Sequence, residues 1–390
     1  MLELLEWYSE RAFQMLAHMV LRQEGQEGLF CFKVTPDSQT GLRQSGESLR
    51  YSLITWVGLT SLYGQALRDA APWGSLWEQA RLNLDRRLSS QPEQFYLGEL
   101  GLMLWLEAET GCPWSQNLVE QAARRWPRER RGADTLEMGW LLIGLTRGAS
   151  SKAAALRREV LKAILEAYHP AARLFSFETF HYFRQRGYRH ALGSFASQVY
   201  SQLALAIDLA RHDSPEVARV LHGSVSRLCE LQGPNGEWWW IYDVRESSVL
   251  VDYPVYSVHQ DSMGPMTLIA AMRTLGTATF LPAVQRGLQQ MLDYREPRSG
   301  KSFFGASHGL IWRAAIRDLP GPDPADLPFG LSPLEMEVLR KAGRPRFLRR
   351  VPSFEPKFRM LEEARPYCPG WILYAYWQAC QMAGASPRLP

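Results

Sequence analysis

Apolar residues recur at helical spacing along nearly the whole chain, and the segments they mark alternate between two kinds. Residues 2–22 set glutamates and arginines between apolar positions, the pattern of an amphipathic helix at a periphery. The next helix, capped by Ser45 or Ser48 and running through Leu62, carries almost no charge after Arg50. Residues 72–90 are charged again and 92–107 nearly all apolar; 114–126 charged, 136–145 apolar; 152–168 charged, 195–209 apolar. Residues 215–231 are amphipathic and 263–275 buried in character, 281–294 charged, and 371–380 apolar and aromatic. A helix that is apolar all round must be surrounded by protein.

Six such pairs, repeating every roughly forty to sixty residues, read as stacked helical hairpins. Six inner helices ringed by six outer ones close into a barrel. The predicted fold is therefore all-α, an (α/α)6 toroid occupying residues 1–390 as one domain, with an irregular loop region at 296–369. Regular alternation puts every outer-to-inner loop at the same end. Those loops are the long and unusual ones, at 28–46, 171–193, 232–260 and 296–369, whereas reverse loops such as 64–73 and 147–151 are mostly short. Within the first, residues 28–34 alternate as a strand or run extended. A site at the decorated mouth is the expectation.

The loop at 232–260 is the most crowded chemically, with three adjacent tryptophans, Trp238 to Trp240, behind the turn residues Gly233, Pro234, Asn235 and Gly236. Six hairpins with glycine- and aromatic-rich loops resemble the α/α-toroid enzymes, which include the six-hairpin carbohydrate-active enzymes and the squalene-cyclase and protein-prenyltransferase group. Gln232-x-x-x-Gly236-x-Trp238 is similar to the Gln-Trp repeat of squalene cyclases, with Arg227 where an upstream aromatic is expected. The Asp-x-Asp-Asp acid motif of those cyclases and the zinc set of the prenyltransferases are absent from the sequence. The resemblance implies a carbohydrate-active enzyme (a glycoside hydrolase, lyase or epimerase) working by carboxylate and histidine acid-base chemistry. An isoprenoid cyclase-like enzyme and a non-catalytic glycan-binding toroid are the alternatives.

Asp261 falls near the start of an inner helix, two residues after His259. The pair suits proton transfer, while a carboxylate at that place also suits helix capping. Asp243 is the second candidate catalytic carboxylate, ahead of Glu237 and Asp252, because two acids flanking a sugar can act as acid and base or as acid and nucleophile. Trp238, Trp240 and Tyr253 are candidate stacking surfaces, and Gln260, Arg50, Tyr51, Gln198 and His308 candidate polar contacts to substrate. Tyr200, Tyr367 and Trp371 also sit at inner-helix starts, and His181 is a weaker candidate. Asp134 and Glu137 are spaced as a capping box.

Composition narrows the partners. Fourteen tryptophans and 12% aromatic residues exceed what a core needs and favour a concave aromatic site. The +4 formal charge comes from arginines interspersed with acids, a solvated surface rather than a nucleic-acid stripe. The exception is the basic run at 344–350, suited to phosphate or an acidic glycan. Five cysteines with no Cys-x-x-Cys spacing point to a reducing compartment. With no signal peptide pattern and no apolar run long enough to span a bilayer, cytoplasm is the default location. Phosphate-loop, dinucleotide-binding, zincin and nucleophile-elbow motifs do not occur. No cofactor or metal is called for, and the partner is a small-molecule or oligosaccharide substrate.

Overall fold

A computed structural model describes residues 1–114, 116–130, 133–148, 150–178, 189–296, 299–305, 309–317 and 358–389. Among them, helices α1 (Leu2–Ala17), α3 (Trp73–Ser90), α5 (Leu118–Glu129), α7 (Ser151–Glu166), α9 (Pro215–Glu230) and α11 (Leu281–Asp293) form an outer set. The inner set is α2 (Leu49–Tyr63), α4 (Leu97–Thr110), α6 (Thr135–Arg147), α8 (Phe195–Leu209), α10 (Gly264–Leu275) and α12 (Tyr367–Ala383). Outer helices bury one stripe; α9, for example, buries Val217, Val220, Leu221, Ser224, Val225 and Leu228. Inner helices are buried around their circumference, every residue of α2 from Ser52 to Tyr63 included. Each inner helix packs on the next, and α12 returns to α2, while α1 covers α12 from outside. The ring is a closed α/α toroid.

Local sequence starts the helices where the ring needs them. Ser48, Asn117, Ser150, Ser194 and Ser214 each cap a following helix by accepting a backbone N–H, a contribution of about 1 kcal/mol apiece. Ser48, not Ser45, caps α2, because Ser45 lies in a strand. Helix α4 begins later than residue 92: a short 3-10 turn, Pro92–Gln94, precedes it, and Glu99 at its third position accepts the Tyr96 N–H at 3.1 Å.

All named strands lie in outer-to-inner connections, so they gather at the mouth. β1 (Cys31–Asp37) and β2 (Gly41–Glu47) form an antiparallel hairpin before α2. β3 (Tyr168–His169) pairs with β4 (Leu174–Phe175). Strands β5 (Leu192–Ser194), β6 (Ile241–Asp243) and β7 (Ser248–Val251) make one small antiparallel sheet, and β8 (Val255–Tyr256), β9 (Ala314–Arg317) and β10 (Phe358–Leu361) another. The reverse connections are short turns. No helix among the described residues is long and apolar enough to cross a membrane.

Ring closure depends on two glycines. A Cβ at Gly58 of α2 would lie 2.0 Å from the Gly370 carbonyl oxygen, and one at Gly370 of α12 would lie 2.7 Å from the Thr55 Cα. Nothing larger than hydrogen fits there without moving backbone. Gly58→Ala is expected to destabilise the fold by about 1–3 kcal/mol through overpacking. Gly148→Ala, whose Cβ would meet its nearest neighbours at an ordinary 3.5 Å, is expected to be near neutral. Equal denaturation midpoints for the two variants would contradict this account of closure.

Candidate active site

The N-terminal ends of the inner helices surround a cavity of about 360 Å³ at the mouth. Helix α2 contributes Arg50, Tyr51 and Ile54, α6 Leu136 and Trp140, and α8 Ala196 and Tyr200. Trp240, Tyr256, Val258, His259 and Met263 come from the connection into α10, and Arg313 and Tyr367 from the connection into α12. Among the described residues no aspartate or glutamate lines it.

His259 begins a π-helical turn, His259–Met263, that runs directly into α10. Its ring lies 4.4 Å from that of Phe195, 5.0 Å from Tyr256 and 5.7 Å from Trp240, measured between centroids. Burial pushes its pKa down to about 3, opposed by a hydrogen bond with the Trp238 backbone and helped by the charge of Arg313. The imidazole is therefore uncharged at neutral pH, and its Nδ1 has no hydrogen-bond partner. Because Nδ1 is itself buried, a neutral ring lining the cavity can accept a proton from it only at Nε2. Burial likewise raises the pKa of Tyr200, Tyr256 and Tyr367, so these hydroxyls keep their protons.

Charge at the mouth is arranged in two groups. In the first, Arg50 donates from Nε to Glu99 at 2.5 Å and from Nη2 to Glu137 at 2.6 Å, tying the starts of α2, α4 and α6 together. Its guanidinium lies 5.2 Å above the Trp140 ring. The capping-box reading of Asp134 and Glu137 is corrected here: Asp134 makes no side-chain cap bond, and Glu137 serves Arg50 instead. In the second group, Glu363 accepts from Arg313 at 2.6 Å, from Arg365 at 2.7 and 2.9 Å, and pairs with Lys33 at 3.2 Å. Burial raises the Glu363 pKa, but the two guanidiniums outweigh it and the carboxylate stays charged.

Of the residues singled out from sequence, Arg50, Tyr51, Tyr200, Trp240, His259 and Tyr367 line the cavity. Asp261 does not. It is 0% exposed within the π-helical turn, and neither carboxyl oxygen makes a hydrogen bond of good geometry. Burial raises its pKa well above the carboxylate range, against a smaller lowering from Ser262 and its own backbone. It is an acid inside the wall, where burial favours its protonated form, rather than a helix cap. Asp243, also buried, accepts the N–H groups of Arg245 and Glu246 at 3.0 and 3.2 Å and shapes the turn after β6. Glu237 accepts from Asn235 in a similar turn, and Asp252 pairs with Arg317.

Trp238 is 0% exposed and wedged against Gly264 and Gly287. Gln260 clamps its peptide, accepting the Trp238 N–H at 2.9 Å and donating to its carbonyl at 3.2 Å. Gln198 clamps the Phe175 peptide the same way, at 2.8 and 2.7 Å. These glutamines and Trp238 hold the mouth loops. Tyr253 packs on Phe358, 4.2 Å between centroids, away from the cavity. His308, His181 and the basic run at 344–350 lie outside the described residues. Sequence reading passed over Arg313, Tyr256, Trp140 and Glu363. A lone arginine in a long connection carries no periodic signal, and the sign of its importance is the tertiary pairing with Glu363.

Among the described residues no group of three or more His, Cys, Asp or Glu is placed to hold a metal ion. No protein-family profile and no curated protein sequence matches the chain. Its fold is similar to that of a cellobiose 2-epimerase from Bacillus thermoamylovorans, with TM-score 0.59 and 9% identity over 95% of this chain and 99% of that one. A sugar epimerase from a ruminal bacterium gives 0.59 and 10% identity over 95% and 98%. A glycosyl hydrolase of family 88 from Bacteroides vulgatus gives 0.56 and 8% over 98% and 99%. At such identities the likeness is one of fold: the chain is an α/α toroid whose structural neighbours are carbohydrate-active enzymes. The isoprenoid-cyclase alternative finds no support among them.

Because the folded pKa of Asp261 is raised, the protein holds that proton more tightly than the unfolded chain does. Any stabilisation linked to it is full below the ordinary aspartate pKa and lost as pH rises. Asp261→Asn, which cannot ionise, is expected to raise Tm by about 2–4 °C at pH 8 and to change little near pH 4. A Tm difference that does not vary with pH would contradict the buried neutral acid.

Proposed function

We propose that this toroid is a carbohydrate-active enzyme that moves a proton at a carbon of a small saccharide, as an epimerase, isomerase or eliminative lyase does, with His259 as the base. The observation that carries the reading is the neutral imidazole of His259 lining a cavity that no carboxylate lines among the described residues. Two-carboxylate hydrolysis needs a pair of acids facing each other across the glycosidic bond, roughly 5–10 Å apart. Asp261 and Asp243, the acids the sequence offers for that work, are buried inside the wall, off the cavity. The α/α-toroid neighbours, two of them sugar epimerases, support the saccharide class.

In this reading an open-chain sugar lies against Trp240 and Trp140, which offer flat apolar faces. His259 removes the hydrogen next to the carbonyl, the C–H electron pair forms the carbon–carbon double bond, and the carbonyl π pair moves to the oxygen. Protonated tyrosine hydroxyls and the arginines stabilise the enediolate that results. Return of that proton from His259 to the neighbouring carbon completes the ketose, whereas the epimer requires a proton delivered to the opposite face of C2, for which water in the cavity is the donor. The cavity volume is at the lower end of the range for small-molecule sites, which suits one or two sugar rings.

The test is deuterium incorporation at C2 of candidate aldoses in D2O, followed by NMR. His259→Gln is expected to lower the exchange rate by about 10²–10⁴-fold, with Asp261→Asn within a few fold of the parent. Since the base works when neutral, the acid limb of kcat/KM is expected near pH 3, not near the ordinary histidine value of about 6.5. Undiminished exchange in His259→Gln would remove the role, and glycoside cleavage without deuterium uptake would favour a hydrolase. Binding that survives with neither reaction would favour a non-catalytic glycan-binding toroid.

A further inference from the structure

The two charged groups at the mouth are opposite in balance. Arg50 is one cation between two carboxylates, Glu99 and Glu137. Across the cavity, Lys33, Arg313 and Arg365 all converge on one carboxylate, Glu363. Among the described residues that cluster carries three positive charges against one negative; the Lys33 side chain is partly exposed, while Arg365 is only 6% exposed. Leaving cationic charge in a poorly solvated wall costs free energy unless an anion joins it.

Arg313 is the member of the cluster that lines the cavity. Its Nη1 serves Glu363 and its Nε is buried, while its Nη2 makes no hydrogen bond among the described residues. Beside it, the Tyr51 hydroxyl, also on the cavity, accepts from Arg365 at 3.3 Å. Its own proton is left without an acceptor among the described residues. A guanidinium edge next to a hydroxyl donor matches the oxygens of a carboxylate or a phosphate.

Resting on the saccharide reading above, we propose that the substrate is an acidic sugar whose oxyanion, a carboxylate or a phosphate, seats on Arg313 and the Tyr51 hydroxyl, with Arg365 and Lys33 supplying the remaining charge. Arg50 is not that anchor, because its two glutamates already neutralise it. An oxyanion in this place orients the sugar with one fixed end at Arg313 and the rest of the ring toward His259 and Trp240.

The experiment compares affinities of the full chain for glucuronate, galacturonate and glucose 6-phosphate with those for glucose and galactose, by calorimetry at matched ionic strength. At least one acidic sugar is expected to bind about tenfold or more tightly than its neutral counterpart, and whether the uronates or the phosphate lead identifies the oxyanion. Arg313→Gln is expected to bring the acidic-to-neutral ratio close to one, and Arg313→Lys to keep part of it. The readout is a ratio within one preparation, so partial misfolding of a variant cancels. Neutral sugars binding as tightly as acidic ones, or a ratio unchanged in Arg313→Gln, would overturn this inference and leave the saccharide reading standing. Binding of none of these sugars would overturn both.

Discussion

The contact between Gly58 and Gly370 is the constraint on which the site rests. It lets α2 and α12 touch backbone to backbone, and the Thr55 hydroxyl then reaches the Pro366 carbonyl at 2.8 Å. With the helix starts locked in register, Tyr51 and Tyr367 meet at 4.6 Å between centroids. Arg50, one residue away, is then aimed at the starts of α4 and α6. A ring opened by one methyl group at this seam would spread the residues that line the mouth.

Holding the loops over that mouth is a separate problem, since irregular backbone brought against a barrel end has polar groups to satisfy. The chain solves it twice with the same device. Gln198 and Gln260, each near the start of an inner segment, clamp one peptide of the preceding connection on both its N–H and its carbonyl. Thr135 does related work, binding the Phe177 carbonyl through its N–H and the Ser176 carbonyl through its hydroxyl. Side-chain amides can imitate a strand neighbour because they carry donor and acceptor at peptide spacing. The Gln-Trp motif is built on the same principle, with Gln232 donating to the carbonyls of Gly236 and Ala283 at 3.0 Å.

Electrostatically, the cavity joins an uncharged base to charged walls. Aromatic rings around His259 exclude water and keep the imidazole neutral, while Arg50 and Arg313 remain charged because carboxylates lie against them. These two conditions, a neutral imidazole and charged guanidiniums, meet in one small volume.

Much of the architecture was legible from sequence, because burial of an entire helix circumference has a one-dimensional signature. The nearly uncharged segment 195–209 coincides with α8, and the alternation of charged and apolar helices foretold both the ring and the end at which its loops gather. Arg50, Tyr51, Trp240 and His259 were found because helix starts and tryptophan clusters are visible in order along the chain. What only tertiary structure decided is direction. Asp261 and His259 are two residues apart, yet a π-helical turn puts the histidine on the cavity and the acid inside the wall. Glu99, Glu137 and Glu363 became partners of arginines 49, 87 and 50 positions away. Periodicity reports how much of a side chain is buried, whereas pairing of charges depends on distances that exist only after the ring has closed.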